Sequence, residues 1–75
     1  MSKNYLISKI IGSKIIYYRK MNGVTLQKLA DTIGVSKQQQ SRYERGVNRI
    51  NLDRLAQYAN YFDIDLNRLL DINDI

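Results

Sequence analysis

Apolar residues recur along this chain at intervals of three and four positions, the spacing that places them on one face of an α-helix. The pattern predicts five helices, at about residues 5–21, 26–33, 37–45, 52–62 and, beginning at 63 or 65, a last one ending near 70. Residues that cap helix starts precede three of them, at Thr25, Ser36 and Asn51. No segment alternates apolar and polar residues as a half-buried strand does, so we expect an all-α fold.

The second and third predicted helices are separated by only Gly34-Val35-Ser36. A turn this short forces the two helices to cross at a steep angle, which is the geometry of a helix-turn-helix. Ala30 is small enough for the following helix to pass over it, and Gly34 can adopt a positive φ in the turn without a Cβ penalty. The spacing therefore predicts a helix-turn-helix between residues 26 and 45.

The charge is distributed unevenly. Residues 1–50 hold ten Lys and Arg against two acidic residues, a net +8, whereas residues 51–75 hold two Arg against five Asp, a net −3. A basic body with an acidic end suggests one face that binds a polyanion and another face with a different use. Solubilisation of a small domain by Lys and Arg is the alternative explanation.

The composition of the 75 residues removes several classes of site and function. With no Cys and no His, disulfides, cysteine zinc sites and histidine chemistry are unavailable, and we expect no metal and no cofactor. The acidic residues cluster in a polar tail without an evident pocket, so we do not expect an enzyme. No apolar run is long enough for a membrane span or a signal peptide, which favours a cytoplasmic protein without membrane contact.

The sequence around the predicted turn resembles the Cro and phage-repressor (Xre-type) helix-turn-helix domains. The residues that carry the resemblance are Ile11-Gly12, Ile15, Arg19, Thr25, Leu29-Ala30, Gly34-Val35-Ser36, Ser41 to Gly46, Ile50, Leu55, Phe62, Ile64, Leu66 and Leu69-Leu70. The resemblance implies a five-helix, lambda-repressor-like domain in a bacterial or phage transcription regulator associated with the nucleoid. It also implies specific binding to double-stranded DNA, with recognition helix 36–46 in the major groove.

The resemblance places the outward residues of the third helix against base edges: Lys37, Gln38, Gln39, Ser41 and Arg42. Their chemistry agrees, because Gln pairs with adenine and Lys or Arg with guanine in the major groove. A polar face that is merely solvated is the alternative. The residues expected to contact phosphates are Thr25, Gln27, Lys28, Ser36, Arg45, Asn48 and Arg49. The family also pairs the positions of Arg19 and Glu44 as an internal salt bridge.

Two residues depart from the family pattern. Leu26 stands where the family usually has a Gln that binds phosphate or braces the recognition helix, and Gln27 is the candidate substitute. Gln40 stands where an Ile or Val usually packs the recognition helix onto the core. A buried amide without partners costs about 1–3 kcal/mol, so either Gln40 finds hydrogen bonds or the third helix is shifted.

The chain is expected to be a single domain of residues 1–75, with a core over 5–70 and a tail over 71–75. Its C-terminal part has more apolar residues than a small core can absorb, which predicts a homodimer on a pseudo-palindromic operator. The expected interface residues are Tyr58, Tyr61, Leu70, Ile72 and Ile75. The alternative function is an antitoxin or other protein-interaction module that binds its partner through the acidic C-terminal face.

Overall fold

The computed structural model describes the backbone of residues 3–72 and the side chains of residues 6–72. Within that range the chain forms five helices and no strand, which confirms the all-α prediction. The helices are α1 (Lys3–Met21), α2 (Leu26–Ile33), α3 (Lys37–Arg45), α4 (Leu52–Phe62) and α5 (Leu66–Leu70). The first of them begins two residues earlier than predicted. Ile75, one of the expected dimer residues, lies outside the described residues.

The predicted caps begin the three middle helices. Thr25 Oγ1 accepts from the backbone N–H of Lys28 at 3.1 Å, and Ser36 Oγ accepts from that of Gln39 at 3.0 Å. Asn51 plays the same part for α4. These bonds satisfy backbone donors that the first turn of a helix otherwise leaves unpaired.

The two glycines after α2 and α3 end these helices in the left-handed conformation, at φ 91° for Gly34 and φ 72° for Gly46. Asp63 takes the same conformation after α4, at φ 57°, and is the one non-glycine residue with positive φ in the described range. Because Asp63 ends α4, the N-cap of α5 falls to Asp65, which decides between the two predicted starts.

An apolar core joins α1, α2, α4 and α5. Its residues are Ile11, Ile15, Tyr18, Leu29, Ala30, Ile33, Leu55, Tyr58, Ala59, Phe62 and Leu69. The ring of Phe62 on α4 lies 5.8 Å from that of Tyr18 on α1 and 6.5 Å from that of Tyr58. Aromatic pairs at such separations stabilise a small core beyond the area that they bury.

Tyr58 is the one expected dimer residue that the structure contradicts. Its side chain is 0% exposed, and its hydroxyl donates a hydrogen bond to Gln40 within the same chain. The prediction was wrong because helical spacing places Tyr58 on the same side of α4 as Leu55 and Phe62, which face the core. Tyr61, Leu70 and Ile72 are at least 37% exposed and remain available to a partner.

The backbones of α1 and α3 approach each other closely at two glycines. A Cβ placed on Gly12 would lie 2.5 Å from the carbonyl oxygen of Tyr43 and 2.6 Å from that of Glu44. A Cβ placed on Gly46 would lie 2.5 Å from the Cα of Lys9. Any larger residue at either position would force the backbones apart, so the two glycines fix the position of α3 along α1.

Candidate nucleic-acid interface

The outward side of α3 forms one wall of a shallow basic groove. The groove is lined by Leu26, Lys37, Gln38, Ser41, Arg42 and Arg45, five of which lie on α3. Positions i, i+1, i+4, i+5 and i+8 share one side of a helix that has 3.6 residues per turn. The lining includes three cations and none of the acidic residues in the described range. The potential along the groove is therefore attractive to a polyanion.

Four of the five expected base-reading residues lie together in this groove. Lys37, Gln38 and Arg42 are exposed, and Ser41 is half-buried. Gln39 is half-buried and lies outside the groove lining, so the structure separates it from the other four.

The opposite side of α3 faces inward and carries the ion pair that the family resemblance implied. Arg19 Nε donates to Glu44 Oε2 at 2.8 Å, and Arg19 Nη2 donates to Glu44 Oε1 at 3.0 Å. The side chain of Glu44 is 6% exposed and that of Arg19 is 15% exposed. Arg19 Nη1 also donates to the carbonyl oxygen of Val24, at 3.1 Å. Arg19 therefore connects α1 to α3 through a bidentate pair and to the loop before α2 through Val24.

Gln40 is fully buried beside this pair and has partners at both ends of its amide. Its Nε2 donates to Glu44 Oε2 at 2.9 Å, and its Oε1 accepts from the Tyr58 hydroxyl at 2.5 Å. Of the two alternatives for Gln40, the structure contains the one in which the amide finds hydrogen bonds. Among the described side chains, no buried nitrogen or oxygen atom lacks a partner.

Burial raises the pKa of the Tyr58 phenol far above its ordinary value of 10.0. The neighbouring Tyr43 raises this pKa further. The phenol therefore stays protonated at neutral pH, as its role as donor to Gln40 requires.

Three of the four expected phosphate contacts near α2 have side chains that already make hydrogen bonds within the protein. The Thr25 and Ser36 hydroxyls serve as helix caps, while Gln27 Nε2 donates to Asp31 Oδ1 at 2.8 Å. Lys28 is exposed at the start of α2, where the helix dipole also favours an anion. Of these four residues, Lys28 has the side chain best placed to meet a phosphate.

The expected contacts after α3 fall into two places. Arg45 lies in the groove with the base-reading residues, whereas Arg49 lines a separate depression that includes Ile7 and Ile50. Asn48, which lies between these two arginines in the sequence, is half-buried. A DNA backbone running past α3 would therefore meet Arg45 and Arg49 at different points.

Two residues that the sequence reasoning missed support the turn between α2 and α3. Arg54 Nη1 and Gln57 Nε2, both on α4, donate to the carbonyl oxygen of Ile33 at 3.0 and 3.3 Å. One signal was available in the sequence. Arg54 lies in the first turn of α4, where the helix dipole disfavours a cation, so a compensating partner was to be expected.

The described part of the chain supports neither a metal site nor a membrane-spanning segment. Residues 3–72 include no cluster of three or more acidic residues, Cys or His that could hold a metal ion. None of the helices formed by these residues is both long and apolar enough to span a membrane.

Comparison with known proteins points to the same part of the molecule, α2 and α3. The model of the helix-turn-helix family matches residues 15–69, which include all of α2 and α3. An uncharacterized HTH-type transcriptional regulator of Rickettsia conorii is 40% identical over 68 residues, covering 87% of this chain and 54% of that protein. The chain thus spans about half the length of these curated relatives, which include a second Rickettsia regulator.

Solved structures share the fold. The biofilm regulator SinR, crystallised in complex with DNA, is 34% identical with a TM-score of 0.74, over 81% of this chain and 98% of that one. The restriction-modification controller protein C.AhdI of Aeromonas hydrophila has a TM-score of 0.81 over 91% and 99% of the two chains. At 22% identity, this second likeness concerns the fold alone. The lambda-repressor-like architecture expected from the sequence is confirmed.

Proposed function

Because this chain belongs to the helix-turn-helix family, we propose that it is a transcription regulator that binds double-stranded DNA with α3 in the major groove. The observation that carries the proposal is the groove beside α3, where Lys37, Arg42 and Arg45 surround neutral hydrogen-bonding side chains. The relatives named above are regulators rather than enzymes, and SinR was crystallised with DNA. This agrees with the expectation that the chain is not an enzyme.

We expect two kinds of DNA contact from this side of the molecule. Gln38 offers the donor and acceptor that recognise adenine, and Lys37 and Arg42 offer the donors that recognise guanine. Arg45 and Arg49 lie at the end of α3 and beyond it, where we expect them to bind phosphates and to fix the register on the duplex. Lys28 is the expected phosphate contact at the other side of the groove.

A homodimer on a two-fold operator completes the proposal. One domain of this size presents a single recognition helix and covers one half-site, so pairing of two copies supplies the length that specificity needs. Tyr61, Leu70 and Ile72 are exposed apolar residues near the C-terminal end of the described chain. They are the surface through which we expect the two copies to pair.

Selection of bound duplexes from a random pool tests the proposal directly. We expect enrichment of two related half-sites and an affinity that falls steeply with added salt, because bound phosphates release counterions. No enrichment and no salt dependence, together with a stable complex with another protein, would instead support the alternative of an antitoxin or protein-interaction module.

A further inference from the structure

A continuous chain of buried and partly buried hydrogen bonds runs beneath α3 and connects it to two other helices. It begins at the guanidinium of Arg19 on α1 and passes through Glu44 and Gln40 on α3. It ends at the hydroxyl of Tyr58 on α4. Both members on α3 are buried, and they are four residues apart, so they project from the same inner side of the helix.

The donors and acceptors of this chain fit in one arrangement. Glu44 Oε2 accepts from both Arg19 and Gln40, so the end of the Gln40 amide that faces Glu44 must be the NH₂ group. The carbonyl end of the amide then faces Tyr58 and requires a donor, which the protonated phenol supplies. A rotated amide would set its oxygen against the Glu44 carboxylate, where two acceptors repel each other.

Hydrogen bonds restrict the rotation of a helix more tightly than apolar packing does. Side-chain atoms lie about 5–6 Å from the helix axis, so a rotation of about 20° moves them by about 2 Å. Such a displacement breaks a hydrogen bond of 2.9 Å, whereas apolar contacts are non-directional and tolerate more sliding. Two anchors on different helices, Arg19 and Tyr58, therefore hold the inner side of α3 from two directions.

We propose that the Gln40–Tyr58 hydrogen bond sets the rotational position of α3 and thereby its base preference. Neither residue lines the groove, so both act as positioning residues for Gln38 and Arg42 rather than as contacts. Glu44 and its pair with Arg19 hold the C-terminal part of α3, and Gln40 holds the part nearer to the base-reading residues. The consequence for DNA rests on the proposed function, but the consequence for the orientation of α3 does not.

The test removes the bond at either end. Tyr58→Phe deletes the hydroxyl and keeps the ring, and Gln40→Met keeps the side-chain length without the amide. Tyr17→Phe is the matched control, because Tyr17 is an exposed tyrosine on α1 whose ring lies against Tyr18. Residual dipolar couplings of the free proteins measure the orientation of α3 relative to α1 and α4. We expect a changed orientation in both variants and the parent orientation in the control.

The second readout is base preference, measured as the ratio of Kd for single-base variants to Kd for the best selected duplex. We expect this ratio to fall about tenfold in Tyr58→Phe, within the range that one bidentate base contact supplies. Affinity for random duplex should change less than about twofold, since phosphate contacts do not read sequence.

A double variant separates positioning from stability. Replacing both partners leaves no buried polar atom of the pair unsatisfied, so Gln40→Met/Tyr58→Phe should recover part of the thermal stability that either single variant loses. Base preference should stay altered, because the directional anchor is still absent. An unchanged orientation of α3 in both single variants would overturn the proposal. So would a base preference that recovers together with stability. A parent that selects no sequence while its variants still reorient α3 would refute the proposed function and leave the positioning role standing.

Discussion

Arg54 and Ile33 are joined by a hydrogen bond of 3.0 Å between a guanidinium Nη1 and a backbone carbonyl, which connects the first turn of α4 to the last residue of α2. The last carbonyls of a helix have no partner within it, and a cation there also interacts favourably with the helix dipole. Gln57 holds Arg54 in place by accepting from the same Nη1 at 2.8 Å. The start of the turn that orients α3 is thus held from α4.

Arg54→Met should lower the free energy of unfolding by about 1 kcal/mol. A hydrogen bond from a charged donor is worth more than this when buried, but Arg54 is half-exposed, and water screens it in part. Urea denaturation checks the value. Arg68→Met is the control, since it removes an exposed arginine on α5 and should stay within about 0.5 kcal/mol of the parent. Equal losses in the two variants would mean that the bond to Ile33 contributes nothing.

Arg19→Met should be the most destabilising of the single substitutions described here. It leaves the buried carboxylate of Glu44 without its cation, at a cost of about 3–5 kcal/mol. Methionine keeps most of the aliphatic stem, so lost packing adds little. Lys20→Met, which changes the exposed neighbouring cation, should melt near the parent temperature. Equal melting temperatures for Arg19→Met and the parent would contradict an energetic role for the pair.

The stability of the protein should depend on Tyr58 at alkaline pH. Its folded pKa is raised above the ordinary 10.0, so above about pH 10 the unfolded chain releases this proton while the native state retains it. The stabilising contribution is complete below pH 10 and is lost as the pH rises further. Unfolding free energy should therefore decline less steeply in Tyr58→Phe than in the parent between pH 9.5 and 11.5, a window set about the ordinary tyrosine pKa. A steeper or equal decline would contradict the retained proton, and Tyr17→Phe should follow the parent.

Base reading and phosphate binding should separate by mutation. Gln38→Ala and Arg42→Ala should each relax preference at one or two base pairs per half-site, with a loss of about 1–3 kcal/mol on the best operator. Arg49→Ala should weaken all duplexes alike and lower the slope of log K against log salt by about one unit. Competition binding across a set of single-base variants at several salt concentrations measures both effects. Unchanged preference on substitution of each of Lys37, Gln38, Gln39 and Arg42 would exclude α3 from the major groove.

Dimerisation should depend on Ile72 and not on exposed apolar residues in general. A charge in place of an isoleucine that pairing would bury removes about 1.5–3 kcal/mol of apolar burial from each copy, so Ile72→Glu should raise the dimer dissociation constant at least about tenfold. Leu52→Glu is the control, because Leu52 is a 67% exposed apolar residue at the start of α4 and is not one of the expected interface residues. Sedimentation equilibrium measures both. A parent that stays monomeric well above micromolar concentration, free and on DNA, would contradict the dimer.

The helices were predictable because their ends carry strong local signals. Thr25, Ser36 and Asn51 each cap a helix through a bond within three residues, and such bonds depend on local sequence alone. At the start of α1 the prediction was two residues late.

The bond between Gln40 and Tyr58 depends on a tertiary contact, which is why the sequence left it open. Gln40 and Tyr58 are 18 positions apart and meet through the packing of α3 on α4. Neither a periodicity nor a motif indicates that contact. Arg19 and Glu44 are 25 positions apart, and their pairing was anticipated through the family resemblance rather than through spacing.

The contacts of Gly12 with the backbone carbonyls of α3 bear on how target sequences can diverge. Where two helices pack through intervening side chains, a substitution that resizes one of them shifts the helices and changes everything that they carry. Between α1 and α3 no side chain intervenes at Gly12, so this crossing has nothing to resize. A descendant of this protein can exchange Lys37, Gln38 or Arg42 while the backbone beneath them stays in place. If α3 reads DNA as we propose, new binding sites can therefore be acquired by surface substitutions, without a compensating change in the core.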